Sequence, residues 1–233
     1  PESGDLHHLK GYSLFGLKKN AEALPEFRQV APESRFFQDA MVHIAFILQE
    51  QGKIQEAIEQ LQTVAQKNPE NAEIKYYLAS IYEESGRYDE AESHLKQALD
   101  KDPNNSRYLF RLGVVYDKQK KKESSIEAMR RVIALDPQNA SALNYLGYTY
   151  ADLGQNLDEA ERLVLEALKY KPDDGFITEP PERNAVLLLR EVERLDRAPG
   201  LEELLGAFLA LPPVKRLMMS DGFRSRFLAR IAG

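Results

Sequence analysis

The chain predicts an all-α solenoid: a stack of helix–turn–helix units followed by a helical C-terminal extension. Three observations carry this. A small residue returns every 34 positions, at Gly11, Ala45, Ala79, Gly113 and Gly147. Its neighbours return in step: Leu14, Leu48, Tyr82, Tyr116 and Tyr150 stand three positions on, and Ala23, Ala57, Ala91 and Ser125 twelve positions on. One inserted residue moves the fifth of these matches to Ala160. Between them, apolar residues fall at helical spacing, with Gly and Pro punctuating at matching places. Self-similarity at such a period marks identical supersecondary units that bury their apolar faces against one another.

Taken in order, the first unit (4–37) keeps the pattern at Gly11, Leu14 and Ala23 but is degenerate at its end, with Arg35 in the proline slot and Pro32 three residues early. The second unit (38–71) closes at Pro69. The third (72–105) is the clearest. Ile74, Leu78, Ala79 and Tyr82 form one stripe. Ser85-Gly86-Arg87 then stops the helix, because Gly takes the left-handed conformation a helix end needs. A second helix carries Ala91, Leu95 and Ala98 inward and stops at Asp102-Pro103, since Pro cannot continue a helix. Asn104 and Asn105 can cap the next helix by accepting its free N–H groups. Ala79 and Ala91 are small where paired helices cross, and a larger side chain would push the axes apart. The fourth unit (106–139) closes at Pro137 and the fifth (140–174) at Pro172.

The strings Tyr88-Asp89-Glu90-Ala91 and Ala134-Leu135-Asp136-Pro137 resemble the consensus of the tetratricopeptide repeat, a helix–turn–helix unit of 34 residues. The resemblance covers residues 4–174. It implies a right-handed superhelix with a concave groove that binds a protein or peptide. The fifth unit looks most like units of long bacterial repeat proteins, many of them extracytoplasmic or lipid-anchored. A periplasmic or envelope setting is therefore favoured over a cytoplasmic one. It also supplies the alternative function, a targeting or assembly factor at the bacterial envelope. The chain opens on Pro1, which suggests a processed or trimmed N-terminus.

On the first helix of each unit, positions 2, 5, 9 and 12 make a stripe beside the packing one. The resemblance places that stripe in the groove. It reads Asp39, Val42, Phe46 and Gln49 in the second unit, then Glu73, Tyr76, Ser80 and Glu83 in the third. The fourth offers Arg107, Phe110, Val114 and Asp117, and the fifth Ser141, Asn144, Tyr148 and Ala151. Position 5 or 9 is aromatic in each: Phe46, Tyr76, Phe110 and Tyr148. Rings with acidic and amide neighbours suit an extended or helical peptide with apolar anchors; the competing assignment is packing between helices. A clamp for a C-terminal carboxylate is disfavoured, because Val42 with Phe46 and Tyr76 with Ser80 lack the Lys and Asn it needs. Only Arg107 and Arg111 are suggestive.

After Asp174 the pattern fails, with Pro180-Pro181 inside what would be a helix. Residues 175–233 still read as helical, in stripes through Ala185, Leu188, Leu189, Val192 and Leu195 and then Leu201, Leu204, Leu205, Phe208 and Leu209. Residues 1–174 carry 22 basic and 29 acidic side chains, residues 175–233 nine and eight. A helical cap is the preferred reading, because the last repeat of a solenoid needs its apolar face covered; a junction near Glu179 with sequence of different origin is the other. The basic tail, with Arg224, Arg226 and Arg230 around Phe223, Phe227 and Ile231, is expected to dock on the acidic array or a neighbour rather than on a membrane.

Composition excludes other classes. Without cysteine there are no disulfides, thiolate catalysis or Cys-based zinc sites. A net charge of −6 argues against nucleic acid and anionic membranes. The run Lys118-Gln119-Lys120-Lys121-Lys122 reads as a solvated turn. His7 and His8 point about 100° apart on a helix, with His7 expected to pack, and His43 and His94 stand alone in sequence. No nucleophile–base spacing appears, so no enzyme activity, metal or cofactor is expected.

Overall fold

A computed structural model describes residues 2–171. The C-terminal extension, the junction near Glu179 and the Arg224, Arg226 and Arg230 tail lie outside the described residues. Within them are ten helices and no strand. The chain divides into two compact units, residues 1–121 and 122–233.

The first unit contains α1 (Glu2–Gly16), α2 (Asn20–Arg28), α3 (Phe37–Glu50), α4 (Ile54–Lys67), α5 (Ala72–Glu84), α6 (Tyr88–Lys101) and α7 (Ser106–Lys118). Each helix packs on the next, and α5 also touches α3 and α7. The apolar stripes become one core that includes Ile44, Ile47, Leu61, Leu78, Ile81 and Leu95, all almost wholly buried. The small residues sit where helices approach closely: Ala79 and Ala91 are fully buried, and a Cβ on Gly11 would stand 2.9 Å from the Phe27 ring.

The turn within each repeat is built by one device. The residue after the left-handed position donates its N–H to the carbonyl five residues back. These bonds are Lys19 to Leu14, Lys53 to Leu48, Arg87 to Tyr82, Lys121 to Tyr116 and Gln155 to Tyr150. The left-handed residue itself is Lys18, Gly52, Gly86, Lys120 or Gly154, again 34 apart. Between repeats, Asn71, Asn105 and Asn139 cap α5, α7 and α9 by accepting backbone N–H bonds from the first turn.

The first repeat departs from the others at both edges. α2 runs nine residues where α4 and α6 run 14, because Pro32 biases Ala31 away from helical backbone. On α1 the outward stripe reads Leu6, Lys10 and Ser13; the matching stripe on α5 is Ile74, Leu78 and Ile81, all buried. Leu6 is 66% exposed, and Lys10 turns to Glu26.

In the second unit the described helices are α8 (Lys122–Leu135), α9 (Ala140–Leu153) and α10 (Leu157–Tyr170). α9 packs on both α8 and α10. Gly147 lies against α10 so closely that a Cβ would stand 2.8 Å from the Val164 methyl and 2.9 Å from the Ala160 carbonyl oxygen.

Candidate functional site

In the first unit the candidate stripe lies on α3, α5 and α7, whose neighbouring first helices touch. Its charged members are cross-linked from repeat to repeat. The Arg107 guanidinium donates to both oxygens of Glu73, and the Tyr108 hydroxyl donates to the same carboxylate at 2.9 Å. Arg111 donates to Glu83 at 2.7 Å and, through Nε, to the Tyr76 hydroxyl at 3.2 Å. Gln49 donates to Glu84, and Asn20 to Glu50.

Tyr76 is the centre of this belt. Its ring stacks on Tyr108 with centroids 5.2 Å apart, while the guanidiniums of Arg107 and Arg111 lie 4.4 and 5.1 Å from its centroid. Phe46 meets Tyr77 edge-on at 5.6 Å, and Tyr77 meets Tyr76 at the same distance. Burial, with Glu73 beside them, pushes the Tyr77 and Tyr108 hydroxyls up to about 12. Glu73 itself is lowered: burial opposes ionisation, but the bonds from Arg107, Tyr108 and Tyr77 outweigh it. Glu83 goes the other way, because its burial exceeds what Arg111 returns. The two arginines that could have received a peptide carboxylate are therefore already occupied by Glu73 and Glu83.

Several expectations need correction. Val42 and Ser80 are buried, at 5% and 4% exposure, and cannot contact a partner from the surface. Both are shorter than Phe46, Tyr76 and Tyr77, which stay half-buried. Ala151 on α9 is likewise buried. His8, not His7, is the packed histidine: it stacks face to face on Phe36 at 4.3 Å, while His7 pairs with Glu26 at 2.8 Å. His43 does not stand alone. It shares the Asp39 carboxylate with His8 and stacks on Phe27 at 4.8 Å. Asp39 is thus a link between the first two repeats as well as a surface residue.

The remaining members stay at or near the surface. Asp39 and Arg107 are exposed, and Phe46, Gln49, Glu73, Tyr76, Glu83, Phe110, Val114 and Asp117 are half-buried. On α9 of the second unit, Ser141 is exposed, Asn144 half-buried and Tyr148 exposed. One residue was missed: Tyr12 on α1, 34 positions before Phe46, is 57% exposed and meets the His43 ring edge-on at 5.6 Å. The period alone would have found it, had the stripe been extended into the degenerate first unit. Among the described residues no group of three His, Cys, Asp or Glu is placed to hold a metal, and no helix is long and apolar enough to cross a membrane.

Comparison with known proteins agrees with this architecture. The tetratricopeptide repeat family matches residues 48–111 and 84–142, and a second model of the same description matches 128–162. No curated protein matches the chain significantly. Among solved structures, a thermophilic TPR protein of Thermus thermophilus superposes with a TM-score of 0.64 at 21% identity, over 79% of this chain and 99% of that one. MamA of Desulfovibrio magneticus RS-1, from residue 41 to its end, superposes with a TM-score of 0.62 at 18% identity, over 75% and 98%. Another MamA crystal structure gives 0.59 at 22% identity, over 70% and 94%. At these identities the likeness concerns the fold. With the family matches across residues 48–162, the 34-residue period and the repeated caps and turns make this array one of tetratricopeptide repeats.

Proposed function

We propose that the chain is a protein-interaction scaffold, and that its first unit binds a peptide or protein segment along the face built by α1, α3, α5 and α7. This is the side that the family resemblance makes concave. The observation supporting it is a row of rings, Tyr12, Phe46, Tyr76 and Phe110, that stay partly exposed while the charges between them are matched within the array. Rings held at low entropic cost, in a field already neutralised, favour apolar and aromatic anchors over a charged terminus. No catalytic group is required.

Peptides selected from a random display library on the wild-type chain test this, with Tyr12→Ala/Phe110→Ala as the counterpart. Retention by the wild type and loss by the variant at an unchanged melting temperature supports the face. A sharp fall in melting temperature would assign the rings to the core, and unchanged binding would place the site elsewhere.

A further inference from the structure

A cleft of about 620 Å³ opens at the seam between the second and third repeats, away from the ring-bearing stripe. Gln62, Ala65 and Gln66 of α4 line one wall, Lys75 and Leu78 of α5 the floor, and His94 and Gln97 of α6 the other wall, with Pro69 at the rim. The array departs from its own pattern here. The position of Lys75 is held by Met41, Leu109 and Leu143 in the repeats around it, at 9%, 1% and 1% exposure. The position of His94 is held by buried Ala128 one repeat later, and that of Ala65 by Leu99. The buried apolar residue that the other repeats place at the Lys75 position is thus replaced here by an ammonium.

The lining is one-sided in its chemistry: three amides, an ammonium and an imidazole, with no carboxylate in a chain that has 37. Lys75 makes no ion pair among the described residues; the nearby Glu70 pairs with Lys101. The Nδ1 atom of His94 is buried without a partner. A lone pair is cheaper to bury unpaired than an N–H, so the proton resides on Nε2 and that atom is a donor. Burial, with Lys75 behind it, holds the imidazole below its ordinary value and therefore neutral. The ring is fixed by face-to-face stacking on Tyr82 at 5.4 Å. Gln62 donates to the Tyr82 hydroxyl at 3.3 Å, and Gln97 reaches Ser93 at 3.4 Å, which leaves Gln66 the least committed amide.

We infer that this seam is a second binding cleft, and that it takes an acidic side chain of a partner peptide, with the carboxylate on Lys75 and the flanking apolar residue on Ala65 and Pro69. Charge complementarity fixes the occupant: an ammonium and amide donors beside the apolar Ala65 and Pro69 match a Glu or Asp next to an aliphatic residue. The inference is independent of the ring-bearing face, because no residue is shared.

The test is histidine Cε1–H NMR on the full chain, with the His94 resonance assigned through His94→Gln. The probe is N-acetyl-Leu-Glu-Leu-amide, and N-acetyl-Leu-Gln-Leu-amide is its neutral isostere. The expected result is a saturable displacement of the His94 resonance by the Glu peptide, with affinity at least about tenfold weaker for the Gln peptide. Lys75→Met should abolish the displacement while raising the melting temperature, since it restores the residue type of Met41; Lys75→Arg should retain it. No displacement by either peptide, equal affinity for both, or undiminished binding in folded Lys75→Met would each overturn the assignment.

Discussion

Lys120 holds the backbone position that Gly86 fills one repeat earlier, with φ of +63° where the glycine has +76°. Lys18 is the same exception in the first repeat, at +59°. A side chain in this region costs about 1–2 kcal/mol, partly offset because glycine is freer in the unfolded chain. Lys120→Gly should therefore stabilise the protein by about 0.5–1 kcal/mol, and Gly86→Lys should destabilise it by about 1 kcal/mol. Urea unfolding measures both; a destabilising Lys120→Gly would show that the lysine makes a compensating contact.

Gly147 presents the opposite case, a glycine required by space. A methyl there would press on the Ala160 carbonyl oxygen as well as the Val164 side chain, and a backbone atom yields less than a side chain. Gly147→Ala should cost about 1–3 kcal/mol despite its better helix propensity. Thermal melting that rises instead would mean α10 shifts freely.

The two inter-repeat arginines should differ. Arg107 and Glu73 are both substantially exposed, and such a pair contributes about 0–1 kcal/mol. Arg111 and Glu83 are more enclosed, and burial already raises the Glu83 carboxyl. Arg111→Ala should then cost about 1.5–3 kcal/mol by leaving Glu83 and the Tyr76 hydroxyl unpartnered. Equal effects of Arg107→Ala and Arg111→Ala, read by chemical unfolding, would contradict the distinction.

The link between the first two repeats should set a pH window. The Asp39 carboxyl lies at about 2 rather than 3.8, chiefly because His43 hydrogen-bonds it, with His8 adding and partial burial opposing. Burial pulls His43 down, yet its bond to Asp39 wins and raises it above 6.5. A lowered acid stabilises the fold above its unfolded value, so Asp39's contribution is present above about 3.8 and lost as pH falls towards 2. A raised base does the reverse: His43's contribution is full below 6.5 and lost as pH rises through its folded value. Asp39→Asn should flatten both arms of the melting profile, leaving the acid dependence of the neighbouring Glu26 with His7 and Lys10. An unchanged profile would remove the link from the stability of the array.

Much of this fold was legible because each repeat solves the same problem with the same residue. Gly86 ends α5, Asn105 caps α7, and Ala79 and Ala91 let helices cross, as their spacing implied. The left-handed turns at Lys18 and Lys120 were hidden because position, and not residue type, imposes them. The surface was less legible than the core. A stripe on one helix does not reveal how its neighbours cover it, so Val42 and Ser80 read like Tyr76 but are buried where Tyr76 is half-buried. Pairings such as Arg107 with Glu73, 34 residues apart, fall outside any single-helix pattern.

The outward stripe of α1 also bears on how such a gene can grow. In-frame duplication of residues 72–105 would stack Ile74, Leu78 and Ile81 against a neighbour that already accepts them. Duplicating residues 4–37 would set a second Lys10 and Ser13 into the place of Ile44 and Ile47, both buried. Copying residues 72–105 therefore extends the array with apolar contacts, whereas copying residues 4–37 buries a lysine and a serine.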